Sequence, residues 1–175
     1  MGAAPPWTSG EQGAPLTIEV FNDYQCPFCG TTNEELKKIE AKYPTQVCFV
    51  FRNYPITRFH KNAVAAATAA ESAGLQGKFR EMIEILYARR DQWANDKDPA
   101  STFVSYALGL GLDTQRFADD MASESVSERI SLDVKRAKFL KVEGTPTLFL
   151  NGAKLEHADN SKLVLLVNAF FNKHK

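Results

Sequence analysis

Cys26 and Cys29 stand two residues apart in Tyr24-Gln25-Cys26-Pro27-Phe28-Cys29-Gly30. Two thiols at this spacing either exchange electrons as dithiol and disulfide or ligate a metal. A closed zinc site takes about four nitrogen or sulfur ligands. Beyond the pair the sequence offers Cys48, His60, His157 and His174, with no second Cys-x-x-Cys and no paired histidines. The ligand count disfavours a metal and favours redox chemistry. The thiolate is the nucleophile in such chemistry, so one cysteine needs a lowered pKa. The N-terminus of an α-helix supplies it through unpaired N–H groups and a partial positive charge.

Pro27 suits a first helical turn, so a helix is predicted to start at Cys26 and Pro27. Pro27 also removes one backbone N–H from the motif. Cys29, Thr32, Leu36, Ile39 and Tyr43 recur at spacings of three and four, which marks the inward face of that helix. Cys29 is then sheltered and resolves mixed disulfides, while Cys26 is accessible and attacks. No Lys or Arg lies within the motif, so the helix terminus is the expected lever on Cys26. Phe28 places an apolar ring beside the sulfur, either as a contact surface for unfolded chain or as a packing residue.

The elements that must position this pair are legible around it. Residues 16–21 (LTIEVF) read as a strand, and residues 47–51 (VCFVF) as a strand covered on both faces. Strand, helix and strand of this length form a βαβ unit with a parallel pair. Helical patterns fill residues 57–140, with caps predicted at Asp98 and Asp113 and a turn at residues 109–111. Gly144-Thr145-Pro146-Thr147 breaks the pattern. Residues 148–150 and 153–157 flank Asn151-Gly152 as a β-hairpin, and residues 160–171 form a closing helix. The order is βαβ, a helical block, then ββα.

Bulk properties set outer limits. With 175 residues, 44% of them hydrophobic, the chain can build one substantial core. Lys+Arg and Asp+Glu balance at 21 each, which removes the long-range attraction a nucleic-acid binder needs. No run of about 20 apolar residues exists to span a membrane. Residues 1–14 carry no charged start and no apolar signal region, and read as a flexible leader. Three cysteines fit one redox pair plus one bystander.

The motif from Tyr24 to Gly30 resembles the active site of DsbA-like thiol–disulfide oxidoreductases. Gly144-Thr145-Pro146-Thr147-Leu148-Phe149-Leu150-Asn151-Gly152 resembles the same family. So do Glu71-Ser72-Ala73-Gly74-Leu75-Gln76-Gly77-Lys78-Phe79 and the stretch from Leu110 through Phe117. The resemblance implies an α/β thioredoxin fold with a central mixed sheet, formed by residues 15–56 and 141–175 and interrupted by an all-helical insertion at 57–140. It implies a cis bond before Pro146, a loop set against the Cys-x-x-Cys motif, a Thr145 backbone that pairs with substrate, and a Thr145 hydroxyl offered to the Cys26 sulfur. It implies no organic cofactor beyond the Cys26–Cys29 disulfide, and a monomer working outside the cytoplasm with its signal or membrane anchor absent from this chain. The implied partners are reduced or unfolded exported proteins and a quinone-linked membrane protein that reoxidises the pair.

One departure stands out. Many thioredoxin-fold proteins carry a buried carboxylate six residues before the nucleophilic cysteine, where this chain has Val20. Glu19 is adjacent but belongs to the opposite strand face. Asp23, Glu34 and Glu35 would oppose a thiolate if close. Cys48 reads as a small buried hydrophobe, with a third redox sulfur as the sharper alternative. His60 caps or packs, or titrates near neutrality. His157 and His174 read as surface residues, Trp93 as core, and the basic residues at 89–90 and 135–138 as solvated helix faces. The leading expectation is a dithiol oxidase. A reductase or isomerase using the same sulfurs is the alternative, and a non-catalytic peptide-binding module ranks third.

Overall fold

Residues 16–22 and 47–53 are rich in β-branched and aromatic side chains that are buried on both faces, and they form the two central strands of one sheet. The computed structural model describes residues 1–155 and 162–173. Among the described residues, five strands are ordered β1-β3-β2-β4-β5: β1 (Trp7–Gly10), β2 (Leu16–Asn22), β3 (Val47–Asn53), β4 (Thr147–Leu150) and β5 (Ala153–Lys154). The β2–β3 pair is parallel and the other three pairings are antiparallel. Helix α1 (Pro27–Lys42) links the parallel strands. Between β3 and β4 lie α2 (Ala63–Gly74), α3 (Phe79–Ala88), α4 (Arg90–Trp93), α5 (Ala100–Gly109), α6 (Thr114–Met121) and α7 (Glu124–Phe139), and α8 (Leu163–Lys173) follows the hairpin. This is the mixed sheet and helical interruption that the resemblance implies.

Strand alternation sorts the core into two parts. Leu16, Ile18 and Val20 of β2 face the larger cluster, with Leu36 and Ile39 of α1 and Leu163 and Val167 of α8. Phe21 of β2 and Phe149 of β4 face the smaller one, with Ala137 of α7. The larger cluster also takes in Met82, Trp93, Phe103 and Phe117, so the helical block and the sheet share one core. Asp113 and Ser123 cap α6 and α7 by accepting the backbone N–H groups of Arg116 (2.9 Å) and Val126 (3.3 Å). At α5 the cap position falls on Pro99, one residue beyond the predicted Asp98, although Asp98 still accepts the Ala100 N–H at 3.3 Å. In the hairpin Asn151 and Gly152 both take positive φ (46° and 82°), which two-residue turns between twisted strands require. The predicted second hairpin strand is observed at Ala153–Lys154; its continuation to His157, the start of the last helix and His174 lie outside the described residues.

Residues 1–14 correct the expectation of a flexible leader. Trp7–Gly10 pairs antiparallel with β3 and forms the sheet edge. The Trp7 indole stacks on Phe79 and lies against Gly74, where any Cβ would come 2.5 Å from the ring. Buried charge holds the same segment. The Ala3 N–H donates to Asp133 (2.9 Å), and Arg52 donates to the Ala3 carbonyl (2.7 Å), Glu19 (2.8 Å) and Asp133 (3.0 Å). Arg136 of α7 donates to both oxygens of Glu19 at 2.7 Å. Burial works to raise the Glu19 pKa, but Arg136 and Arg52 outweigh it and hold the carboxyl below its usual range. Glu19 therefore points away from the Val20 face, as strand alternation predicts, and Arg136 is part of this network rather than of a solvated face.

Candidate active site

The site sits where β2 runs out into α1. Asn22 ends the strand, and the Asp23 carbonyl accepts the Cys26 N–H at 3.0 Å, closing a tight turn. Cys26 occupies the N-cap of α1 in extended conformation (φ −71°, ψ 122°), with Pro27 as the first helical residue. The turn is fixed from the helical block. Gln25 donates to the Ala94 carbonyl (2.9 Å) and accepts the Asn62 N–H (2.9 Å), and Arg90 reaches the Gln25 carbonyl at 3.5 Å. Arg90 thus joins the site, where the sequence suggested only a solvated basic pair.

The two sulfurs differ in environment. Cys29 is fully buried, while Cys26 keeps 5% of its surface and lines a groove of about 270 Å³ with Pro27, Gly30, Thr31, Tyr87 and Arg90. The Cys26 thiol donates to the Thr145 carbonyl at 3.5 Å, and the Thr145–Pro146 peptide bond is cis. Pro27 and Phe28 are exposed, Phe28 by 69%, and Thr145 and Pro146 are half-buried. The structure therefore brings together Cys26, Cys29 and Thr145, with Pro27, Phe28 and Pro146 next to them in the chain.

Ionisation separates the pair further. A hydrogen bond from the Cys29 thiol lowers the Cys26 pKa to about 6; burial opposes it, and the Cys29 and Phe28 N–H groups and the Thr145 hydroxyl add to it. Burial pushes the Cys29 thiol well above its ordinary value, and the adjacent Cys26 reinforces that. The helix-terminal N–H groups contribute, but the strongest lever on Cys26 is its partner thiol rather than the helix end the sequence suggested. The spacing of two residues brings the sulfurs together at the first turn, where one can donate to the other.

Several residues lie elsewhere or do something unexpected. Cys48 is buried on β3 opposite Gly10 and Thr17, near the start of β2 rather than its end, and burial raises its pKa. Trp93 is buried core and donates its indole N–H to the Leu86 carbonyl at 3.0 Å. Among the described residues, no group of three or more His, Cys, Asp or Glu is placed to hold a metal ion. Asp23 does not present an opposing charge from the surface: it is buried, its backbone N–H donates to the Cys29 sulfur at 3.5 Å, and its carboxylate accepts His60 Nδ1–H at 2.8 Å. Tyr87 stands against the groove beside Gly30. No sequence signal links Asp23 to His60 or Tyr87 to the cysteines, because each contact crosses more than 35 residues.

Comparison with known proteins agrees with this fold. A family model described as Thioredoxin matches residues 4–169. The crystal structure of a thioredoxin-like oxidoreductase from Silicibacter pomeroyi DSS-3 is 26% identical, with a TM-score of 0.78 over 95% of this chain and 92% of that one. Alpha-DsbA1 of Wolbachia pipientis shares the fold at 17% identity, with a TM-score of 0.82 over 99% of this chain and 94% of that one. A Na(+)/H(+) antiporter NhaA 1 of Mycolicibacterium gilvum is 34% identical over 149 residues; the match covers 83% of this chain but only 23% of that much longer protein. The chain belongs to the thioredoxin family and has the fold of its DsbA-like members.

Proposed function

We propose that the protein is a dithiol oxidase that introduces disulfides into exported proteins, with Cys26 as the exchanging sulfur and Cys29 as the resolving one. The opposite ionisation of the two thiols carries this reading: Cys26 falls to about 6 and Cys29 rises. A sulfur that is stable as thiolate is a good leaving group, so release of Cys26 from the mixed disulfide favours reduction of the pair by substrate. A substrate thiolate attacks the Cys26 sulfur, the S–S bond breaks, and its electron pair leaves on Cys29, which takes up a proton. A second substrate thiolate attacks the substrate sulfur of the mixed disulfide and releases Cys26 as thiolate. Two electrons pass from substrate to the pair, and no organic cofactor enters. Phe28 and the groove offer contact to unfolded chain, and the Thr145 backbone beside Pro146 pairs with it.

The remaining roles follow from the same reading. The substrates are reduced exported proteins, the site of action is extracytoplasmic, and a quinone-linked membrane protein restores the disulfide. The antiport named for the longer relative is not carried over, because the match covers only 23% of that protein's length. The test is the equilibrium reduction potential against glutathione. A value near about −120 mV supports the oxidase, and one near about −270 mV turns the assignment to a reductase.

A further inference from the structure

Thiol exchange at Cys26 leaves one step without an agent, namely the control of charge on the enclosed Cys29 sulfur. Each turnover places an electron pair on that sulfur or withdraws it. The groups around it form a short chain of contacts. The Asp23 N–H donates to the Cys29 sulfur at 3.5 Å. The Asp23 side chain is completely buried and accepts from the Gln25 N–H (2.8 Å), the Ile56 N–H (2.8 Å) and His60 Nδ1–H (2.8 Å). The His60 side chain is 22% exposed, so the far end of the chain reaches solvent.

We propose that Asp23 and His60 form a dyad that governs the charge on Cys29: His60 positions Asp23 against the resolving sulfur, and the proton on its imidazole balances the Asp23 carboxylate. This rests on the exchange mechanism proposed above. With His60 protonated the dyad is neutral, and a thiolate at Cys29 meets no net opposing charge. With His60 neutral the buried carboxylate stands uncompensated, and the thiolate is disfavoured. Both residues are positioning residues, since neither touches substrate.

The other groups facing this region do not supply the same switch. Tyr24 and Tyr87 face the sulfur, but burial lifts both phenols well above their ordinary range. The Thr145 hydroxyl does not titrate. Arg58 stacks on the Phe59 ring, Lys61 bonds the Asn95 carbonyl, and Arg90 bonds the Gln25 carbonyl, so each is engaged away from the sulfur. Cys26 does ionise in this range, but it is held covalently whenever a mixed disulfide exists.

Ellman's reagent separates the two steps in the Cys48→Ala background. A first thionitrobenzoate is released as Cys26 attacks, and a second as Cys29 resolves the mixed disulfide. The second phase in the parent protein should show a break in its pH profile that His60→Asn removes. His60→Asn keeps a donor to Asp23 but carries no proton. Its second phase should be about tenfold slower at pH 5.5, as for one pK unit of lost balance, and should converge with the parent at pH 8. In Asp23→Asn the His60 substitution should have no effect on the profile. A parent profile without the break, superimposable profiles, or a slowing equal at every pH would overturn the dyad. A parent with no first phase overturns the exchange mechanism itself, and the dyad with it.

Discussion

Hydrogen bonding from the Cys29 thiol lowers the Cys26 pKa more than any other contact, so the fully buried member of the pair holds the charge of a partner that itself keeps only 5% of its surface. Removing the donor should therefore cost more than the second redox centre. Cys29→Ala should raise the Cys26 pKa by a unit or more, whereas Cys29→Ser, whose hydroxyl still donates, should leave it low. Thiolate absorbance followed through a pH titration reads both. Cys26→Ser should abolish exchange and Cys29→Ser should accumulate mixed disulfides with substrate. A Cys29→Ser protein that cycles normally would remove Cys29 from the resolving role.

Thr145 offers a second donor to the same sulfur. Hydrogen bonds to charged groups contribute about 1.5–3 kcal/mol. Thr145→Val should raise the Cys26 pKa by about one unit and make the disulfide a weaker oxidant, which the glutathione equilibrium reads. Thermal stability of the oxidised form should change little, because Thr145 is only half-buried and loses no packed volume. An unchanged pKa would remove the hydroxyl from the site.

The lowered Cys26 pKa also sets a pH dependence of folding. A thiol whose folded pKa lies below its unfolded value stabilises the fold above the unfolded value, near 8.5, and that stability is lost as pH falls through the folded value of about 6. At pH 7, one unit above the folded value, about 1.4 kcal/mol is in place. The disulfide form has no such dependence. The gap in urea midpoints between reduced and oxidised protein should therefore shift in favour of the reduced form from pH 5.5 to pH 7.5. A gap that stays constant across this range would show that Cys26 does not ionise there.

Asp133 takes the backbone of Ala3 and Asn53 and the guanidinium of Arg52 at once. Asp133→Ala leaves Arg52 with one carboxylate fewer and two backbone N–H groups unpaired. Loss of one partner from a buried pair costs about 3–5 kcal/mol. Chemical denaturation should register a loss of this size, and the initial rate of Cys26 with Ellman's reagent per folded molecule should stay the same. A loss under about 1 kcal/mol would make the network ornamental.

What the sequence made legible was local. The cap and proline at Cys26 and Pro27, the inward face carrying Cys29, and the Asn151-Gly152 turn all depend on residues within a few positions of one another. The edge strand Trp7–Gly10 was not legible: four residues with Ser and Gly carry no strand period, and their order comes from the β3 backbone and a stacked Trp7. The same holds inside the site. The sequence named Cys26, Cys29 and Thr145, but the donor role of Cys29 depends on sulfur-to-sulfur geometry, and the seat of Asp23 depends on a loop 33 residues later. Arg90 and Arg136 read as surface because a basic residue on a helix carries no mark of the carbonyl or carboxylate that it will meet.

The pairing of β1 with β3 has a consequence for handling the protein. The sequence Val47-Cys48-Phe49-Val50-Phe51 is short, uncharged and β-prone, the profile of a segment that templates aggregation when its backbone edge lies bare. Trp7–Gly10 closes that edge. Any fusion, tag or proteolytic cut that unseats the first ten residues opens a flat hydrophobic strand to its neighbours in solution. The remedy is to attach partners beyond α8 and leave the opening residues where they pair.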